Sequence, residues 1–275
     1  MFDMKKLLFV VLFTILLIPT FLCAEVNEDI LVVTAPSGAT LRETPDTKAA
    51  KLGRIPYLTE VKRTEWSDNN STAEGVTACW FKVSWHGKEG WVFAALLGSN
   101  PKEIALIKAS EGKARREMHR LWLTTDDGKQ LELVDKPVYG EENMHFVFCG
   151  AMADQPFYIV RQIGWEWEHY LLINRCDGRQ QILDAVPVFS PDSKRFVTAN
   201  LDLAAGYNEN RMQIFRYEDG MGVLEWSEEP TEWGPDKPVW ESDTRIKFNK
   251  TVLSGDYEEA FVEFDKAANT WRLVD

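Results

Sequence analysis

The side chains best suited to chemistry lie mid-chain: His145, Cys149, His169 and Cys176. Imidazole and thiolate together suit a zinc site or a thiol peptidase. His145 and Cys149 share strand parity, so on one strand they project to the same face. The set lacks the closely spaced Cys or His pairs that close tetrahedral zinc sites. A nucleophilic cysteine also needs a helix start and a base within hydrogen-bond reach. Cys149 and Cys176 fall instead at the ends of predicted strands. A disulfide between Cys149 and Cys176 is the better expectation in an oxidising compartment. Their strands run the same way with another strand between them. The loops must therefore converge to bring the Cα atoms within about 7 Å. Cys79 is then a lone buried thiol beside Trp80.

Carboxylate pairs such as Glu166 with Glu168, or Glu228 with Glu229, have the chemistry of glycoside hydrolysis. That reaction needs two carboxyls about 5–10 Å apart across a cleft. In so acidic a chain the pairs carry little information. Asp202, Asn208 and Glu209 offer oxygen donors for calcium, but the EF-hand pattern is absent. Neither a phosphate-binding loop nor a dinucleotide fingerprint occurs. The residues point to no catalytic site, no metal and no cofactor. The expectation is a binding protein that is not an enzyme.

The elements that would position a ligand follow an export signal. Met1 to Lys6 are positive, Leu7 to Ile18 are apolar except for Thr14, and Leu22-Cys23-Ala24 precede Glu25. This is the layout of a signal peptide over residues 1–24, with an apolar core too short to span a bilayer. Cleavage after Ala24 gives a periplasmic or secreted chain with no membrane span. A lipid anchor on Cys23 is the less favoured alternative, because Leu22 is bulky. Losing Lys5, Lys6 and Asp3 takes the net charge from −12 to −13. Such acidity disfavours nucleic acid and anionic lipid as partners. With 45% hydrophobic residues and 11 tryptophans, the chain can bury real cores.

Residues 25–98 read as short strands between turns. Trp80, Lys82 and Ser84 alternate with Phe81, Val83 and Trp85, and His86-Gly87-Lys88 turns the chain toward Gly90–Phe93. Alternation around a Gly-containing turn signals a hairpin, and many short strands suggest a small barrel. Three blocks carry a family resemblance: Ala39-Thr40-Leu41-Arg42-Glu43-Thr44-Pro45-Asp46, Leu52-Gly53-Arg54-Ile55-Pro56, and Trp80 through Val92. They resemble the opening, middle strand and Gly-Trp-Val ending of bacterial SH3 (SH3b) domains. The resemblance implies binding of cell-wall peptides or an envelope protein. Tyr57, Trp66, Trp80 and Trp85 are the candidate ligand contacts, since exposed aromatic rings give broad, low-entropy contact area. Between Trp66 and Trp80 the chain inserts Ser67 to Gly75, whose polar composition predicts a mobile surface loop able to cover or reshape that face.

Residues 99–118 read as a short helix, with Asn100 as N-cap and Pro101 at N1, followed by a charged, solvated linker that includes Arg115 and Arg116. Residues 119–275 are again β-rich and repeat at about 40 residues, the spacing of propeller blades. Units run over 145–185, 186–229 and 238–274, with a partial unit over 119–134. Phe189-Ser190-Pro191-Asp192-Ser193-Lys194 resembles the first hairpin of WD40-like and TolB-type blades, with Ser193 where those families have glycine. The expected fold class is all-β: an SH3-like barrel followed by a propeller-like or sandwich-like array of antiparallel meanders. The expected function is an exported binding or scaffold protein of the envelope. The alternatives are a periplasmic inhibitor or immunity-type protein for a basic enzyme, and a wall hydrolase with an unrecognised site.

Overall fold

The computed structural model describes residues 29–73, 75–98 and 100–274. The expected signal segment and Cys23 lie outside the described residues. The first region comprises β1 (Ile30–Val33), β2 (Ala39–Arg42), β3 (Lys51–Ile55), β4 (Glu60–Trp66), β5 (Ser71–Ala73), β6 (Val76–Ala78), β7 (Trp80–Trp85), β8 (Lys88–Phe93) and β9 (Leu97–Gly98). Seven of these strands form one sheet in the order β3-β2-β8-β7-β4-β1-β9. His86 and Gly87 both adopt positive φ, the twist a tight β7–β8 turn requires. Val33, Leu41, Ile55, Phe81, Val83 and Val92 fill the interior. Gly90 admits the neighbouring strand: a Cβ there would lie 2.7 Å from the Arg42 carbonyl oxygen.

Part of the segment inserted after Trp66 is strand, not the loop expected: Ser71–Ala73 pairs with Val76–Ala78 as the hairpin β5–β6, and Ser71 Oγ accepts a 3.0 Å hydrogen bond from Trp80 Nε1. Small β-branched residues here take strand geometry once they have a tertiary face to cover.

Helix α1 (Pro101–Ala109) begins as expected, with Asn100 Oδ1 accepting from Glu103 N at 2.9 Å. The solvated linker expected after it is corrected. Ala114–Glu117 is strand β10, joined by β11 (Arg120–Thr124) and β12 (Gln130–Val134) in a three-stranded sheet. Alternation turns Ala114 and Arg116 inward and Arg115 outward. Arg116 is buried between Glu103, at 2.8 Å, and Asp135, also at 2.8 Å.

Three four-stranded meanders follow, each in simple sequential order. The second sheet holds β13 (His145–Ala151), β14 (Phe157–Ile163), β15 (Glu168–Asn174) and β16 (Gln180–Leu183). The third holds β17 (Val188–Phe189), β18 (Arg195–Asn200), β19 (Arg211–Glu218) and β20 (Met221–Glu228). The fourth holds β21 (Gly234–Ser242), β22 (Arg245–Thr251), β23 (Tyr257–Asp265) and β24 (Thr270–Val274). The sheets stack like blades. Leu121, Leu123, Phe148 and Tyr158 form the core between the first and second. Phe157, Leu172, Phe196 and Phe215 join the second to the third. Ile214, Trp240, Phe248 and Trp271 join the third to the fourth. Among the described residues no such cluster joins the fourth sheet to the first. The outward faces at the two ends carry paired charges instead, Lys247–Glu259 at one end and Arg115 stacked 3.8 Å from the Trp122 ring at the other. The array is therefore an all-β, propeller-like arc.

Ser193 sits at φ 58°. Glycine tolerates that conformation without a Cβ clash, which accounts for its use at this point of related hairpins.

Candidate functional site

A cleft of about 620 Å³ opens between the barrel and the second sheet. Its floor is apolar: Leu31, Phe81 and Leu97 from the barrel, Val147 and Ile163 from the blade. Val147 lies between the core residues Phe146 and Phe148, so alternation sends those two rings into the blade core and Val147 to the opposite face, where it joins the floor. Its walls are aromatic. Trp66 ends β4, Tyr139 sits in the β12–β13 connection, and Trp165 and Trp167 occupy the β14–β15 turn.

Specific contacts hold these rings. Trp165 meets Trp66 edge-to-face with centroids 6.3 Å apart, and meets Tyr139 at 5.1 Å. The Arg63 guanidinium lies 4.6 Å from the centre of the Trp66 ring and pairs with Asp29 at 3.2 Å. Asn70, on the inserted hairpin, accepts a 2.9 Å hydrogen bond from Tyr139 N. The insertion thus reshapes the barrel face by clasping the blade region, helped by Cys79 N donating to Pro137 O at 2.8 Å. At the turn, a Cβ on Gly164 would lie 2.1 Å from the Trp167 ring, so the absence of a side chain there seats that indole. Trp167 in turn stacks on His169 at 5.2 Å.

Several polar groups join these rings, and most are anchored. Arg161 Nε donates to Glu168 Oε2 at 2.8 Å. Glu168 N donates to Asn208 Oδ1 at 3.0 Å. Asn143 donates from Nδ2 to Val138 O at 2.7 Å. Asn208 is placed by Asp202, whose carboxylate accepts from the backbone N–H groups of Ala205, Gly206, Tyr207 and Asn208. Partial burial pulls the Asp202 carboxyl upward, but those four donors outweigh it and hold it below the usual carboxylate range. The stabilisation is present above the unfolded value of about 3.9 and is lost as pH falls through the lower folded value. Asp202→Asn is expected to cost about 1 kcal/mol near neutrality, after discounting for solvent access, and progressively less as pH falls below the usual carboxylate range. Urea midpoints near neutrality and in acid check this.

Of the four expected ligand contacts only Trp66 lines the cleft. Tyr57 is 45% exposed but is not a cleft residue. Trp80 is corrected to a core residue at 1% exposure. Trp85 is half-buried against the barrel core. Tyr139, Trp165, Trp167 and Asn143 escaped sequence reasoning, and Asn208 entered it only as a calcium donor; an indole on each side of Glu166, just after Gly164, is the signal that could have found the turn.

The His/Cys set does not assemble. His145 is in register with Ile163 and Glu168, whereas His169 is in register with Gln162 and Phe146, so the two imidazoles face opposite sides of the sheet. The expected disulfide is corrected, for Cys149 and Cys176 are both free thiols. Cys149 lies at the β13 bulge, across β14 from Leu171 and Leu172, while Cys176 lies beyond the end of β15. At about 3.3 Å per residue the offset along the strands exceeds 10 Å, well past the disulfide limit. Burial pushes the Cys79 thiol up to about 12, which keeps it protonated and unreactive. The oxygen-rich loop at Asp202 is no calcium cradle, because its carboxylate is spent on backbone donors. Among the described residues no group of three or more His, Cys, Asp or Glu side chains is placed to hold a metal.

An aromatic cleft with an apolar floor and several polar anchors defines a ligand-binding class of site. The comparisons locate one part of it. Residues 37–98 match the family model described as the bacterial SH3 domain. No curated protein matches the chain. Among solved structures the chain resembles a candidate 6-phosphogluconolactonase from Bacteroides fragilis, at 14% identity and a TM-score of 0.32, covering 92% of this chain and 83% of that one. Against the expectation that this chain is not an enzyme stands the description of that structure as a candidate 6-phosphogluconolactonase. A likeness so distant assigns no activity here. No helix among the described residues is long and apolar enough to cross a membrane.

Proposed function

We propose that the chain is an envelope binding protein, working in the periplasm or outside the cell, that holds cell-wall material or a wall-derived peptide in the cleft shared by its SH3 domain and its first blades. The observation that carries this reading is the convergence of Trp66, Tyr139, Trp165 and Trp167 on one cleft beside an SH3 domain. Three of these rings come from outside the matched residues, so the SH3 domain and the blades would act as one recognition unit. The blades would then be more than a spacer. The Ser190–Asp192 hairpin supports reading them as WD40-like or TolB-type. There Ser190 Oγ donates to Asp192 at 2.8 Å, and Asp192 N donates to Asp243, in the matching turn of the next blade, at 2.9 Å.

Co-sedimentation with purified peptidoglycan sacculi tests the proposal. The mature chain is expected to pellet with sacculi, and Trp66→Ala and Tyr139→Ala are each expected to leave most of the protein in the supernatant. No retention of the unaltered chain, or equal retention of the variants, overturns it.

A further inference from the structure

We infer that the cleft receives the glycan of the wall, a sugar segment of disaccharide size bearing acetamido groups, in preference to an extended peptide. This rests on the wall-binding reading above and narrows it.

Peptides that dock on β-proteins commonly add a strand to a free sheet edge. Two edge strands reach this cleft: β9 is only two residues long, and the outward backbone groups of β13 at Phe146 and Phe148 are already engaged. Phe146 N donates to Asp135 at 2.8 Å, Phe148 N donates to Glu103 at 2.9 Å, and Phe146 O accepts from Arg116. The buried charge cluster therefore caps the edge a peptide would use.

What the cleft does offer suits a pyranose. Its rings present π faces of negative character to approaching C–H groups. Trp165 and Tyr139, 38% and 42% exposed, leave face area for a further partner. Arg63 is paired with Asp29 and Arg161 with Glu168, and Glu166 adds a carboxylate unpaired among the described residues to the lining, so the site does not call for an anionic ligand.

Two amide atoms remain to be satisfied. Asn143 is only 4% exposed, and its Oδ1 has no hydrogen-bond partner among the described residues. Asn208 uses Oδ1 on Glu168 N and leaves Nδ2 unpaired. One acceptor and one donor beside aromatic rings match hydroxyl and acetamido groups, which supply both complements. The Asn143 acceptor is open to the cleft, where a ligand hydroxyl or amide N–H can donate to it.

Tryptophan fluorescence titration tests the inference, using the mature chain with a soluble N-acetylglucosamine oligomer and, separately, a synthetic wall stem peptide. The oligomer is expected to give a saturable shift. Trp165→Ala should weaken its binding about tenfold. Asn208→Asp keeps the acceptor for Glu168 N but removes the donor, and should weaken binding several-fold. Urea midpoints close to that of the unaltered chain show that both variants are folded. If the stem peptide binds and the oligomer does not, the glycan assignment falls while the wall-binding proposal stands. If the oligomer binds equally well to both variants, the glycan assignment to this cleft falls. If neither probe binds and sacculi are not retained, both readings fall.

Discussion

Arg116→Ala is expected to lower the unfolding free energy by about 3–5 kcal/mol, the cost of stranding buried opposite charges. The guanidinium is buried and faces Glu103 from α1 and Asp135 from the end of β12, with Phe146 O as a further acceptor. Burial alone would pull its proton affinity down, but the two carboxylates overcome this and raise it, so the arginine stays charged. Remove it and two carboxylates share a dry site. In some proteins a buried ion cluster can be replaced by apolar residues with no loss. That rescue is expected to be partial here. Glu103 and Asp135 also accept from Phe148 N and Phe146 N, so the triple variant Arg116→Met, Glu103→Leu, Asp135→Leu orphans two backbone donors. Each orphan costs about 1–3 kcal/mol. Urea denaturation of both variants measures the difference. A triple variant as stable as the unaltered chain would remove the cluster's role in capping β13.

That cluster also shows where sequence reasoning runs out. The run from Ser110 to Glu117 reads as a solvated linker because charged residues dominate it. The inward alternation of Ala114 and Arg116 is masked by the charge at 116, and its partners stand 13 residues before it and 19 after it. Spacing carries no information about such a pairing. By contrast the β7–β8 hairpin was legible, because strict alternation and His86-Gly87 act within a dozen residues. The blades were legible for the same reason: the Phe189–Lys194 hairpin is local turn chemistry, set in a repeat of about 40 residues. The cleft was legible in part: Trp66 stood out as a ligand contact, while His145, Glu166, Glu168 and Asn208 stood out for other chemistry. Its other rings lie in two connections that no periodicity marks, and they meet only after the barrel and the second sheet pack together. The inserted hairpin was misread because its order comes from Trp80 and Tyr139, not from its own composition.

Trp80 provides the second large effect and separates stability from recognition. It was a reasonable ligand candidate from its block in the SH3 resemblance, yet the ring packs against Phe93 with centroids 5.3 Å apart, and its N–H is taken by Ser71. Trp80→Ala should therefore cost about 3–5 kcal/mol through the cavity it leaves, with the Ser71 hydroxyl losing its donor as well. Trp66→Ala removes a half-buried ring at the cleft and should cost far less stability while abolishing most retention on sacculi. The two variants are thus predicted to split: one shifts the urea midpoint, the other shifts binding. The split follows from position. Trp66 is in register with Phe81, so the two tryptophans share one end of the β4–β7 pair but sit on opposite faces: the hairpin β5–β6 covers Trp80, and Trp66 lines the cleft. If Trp80→Ala left the midpoint unchanged and abolished retention, the inserted hairpin would have to be a movable cover over a ligand face, and the cleft beside Trp165 would lose its claim to be the site.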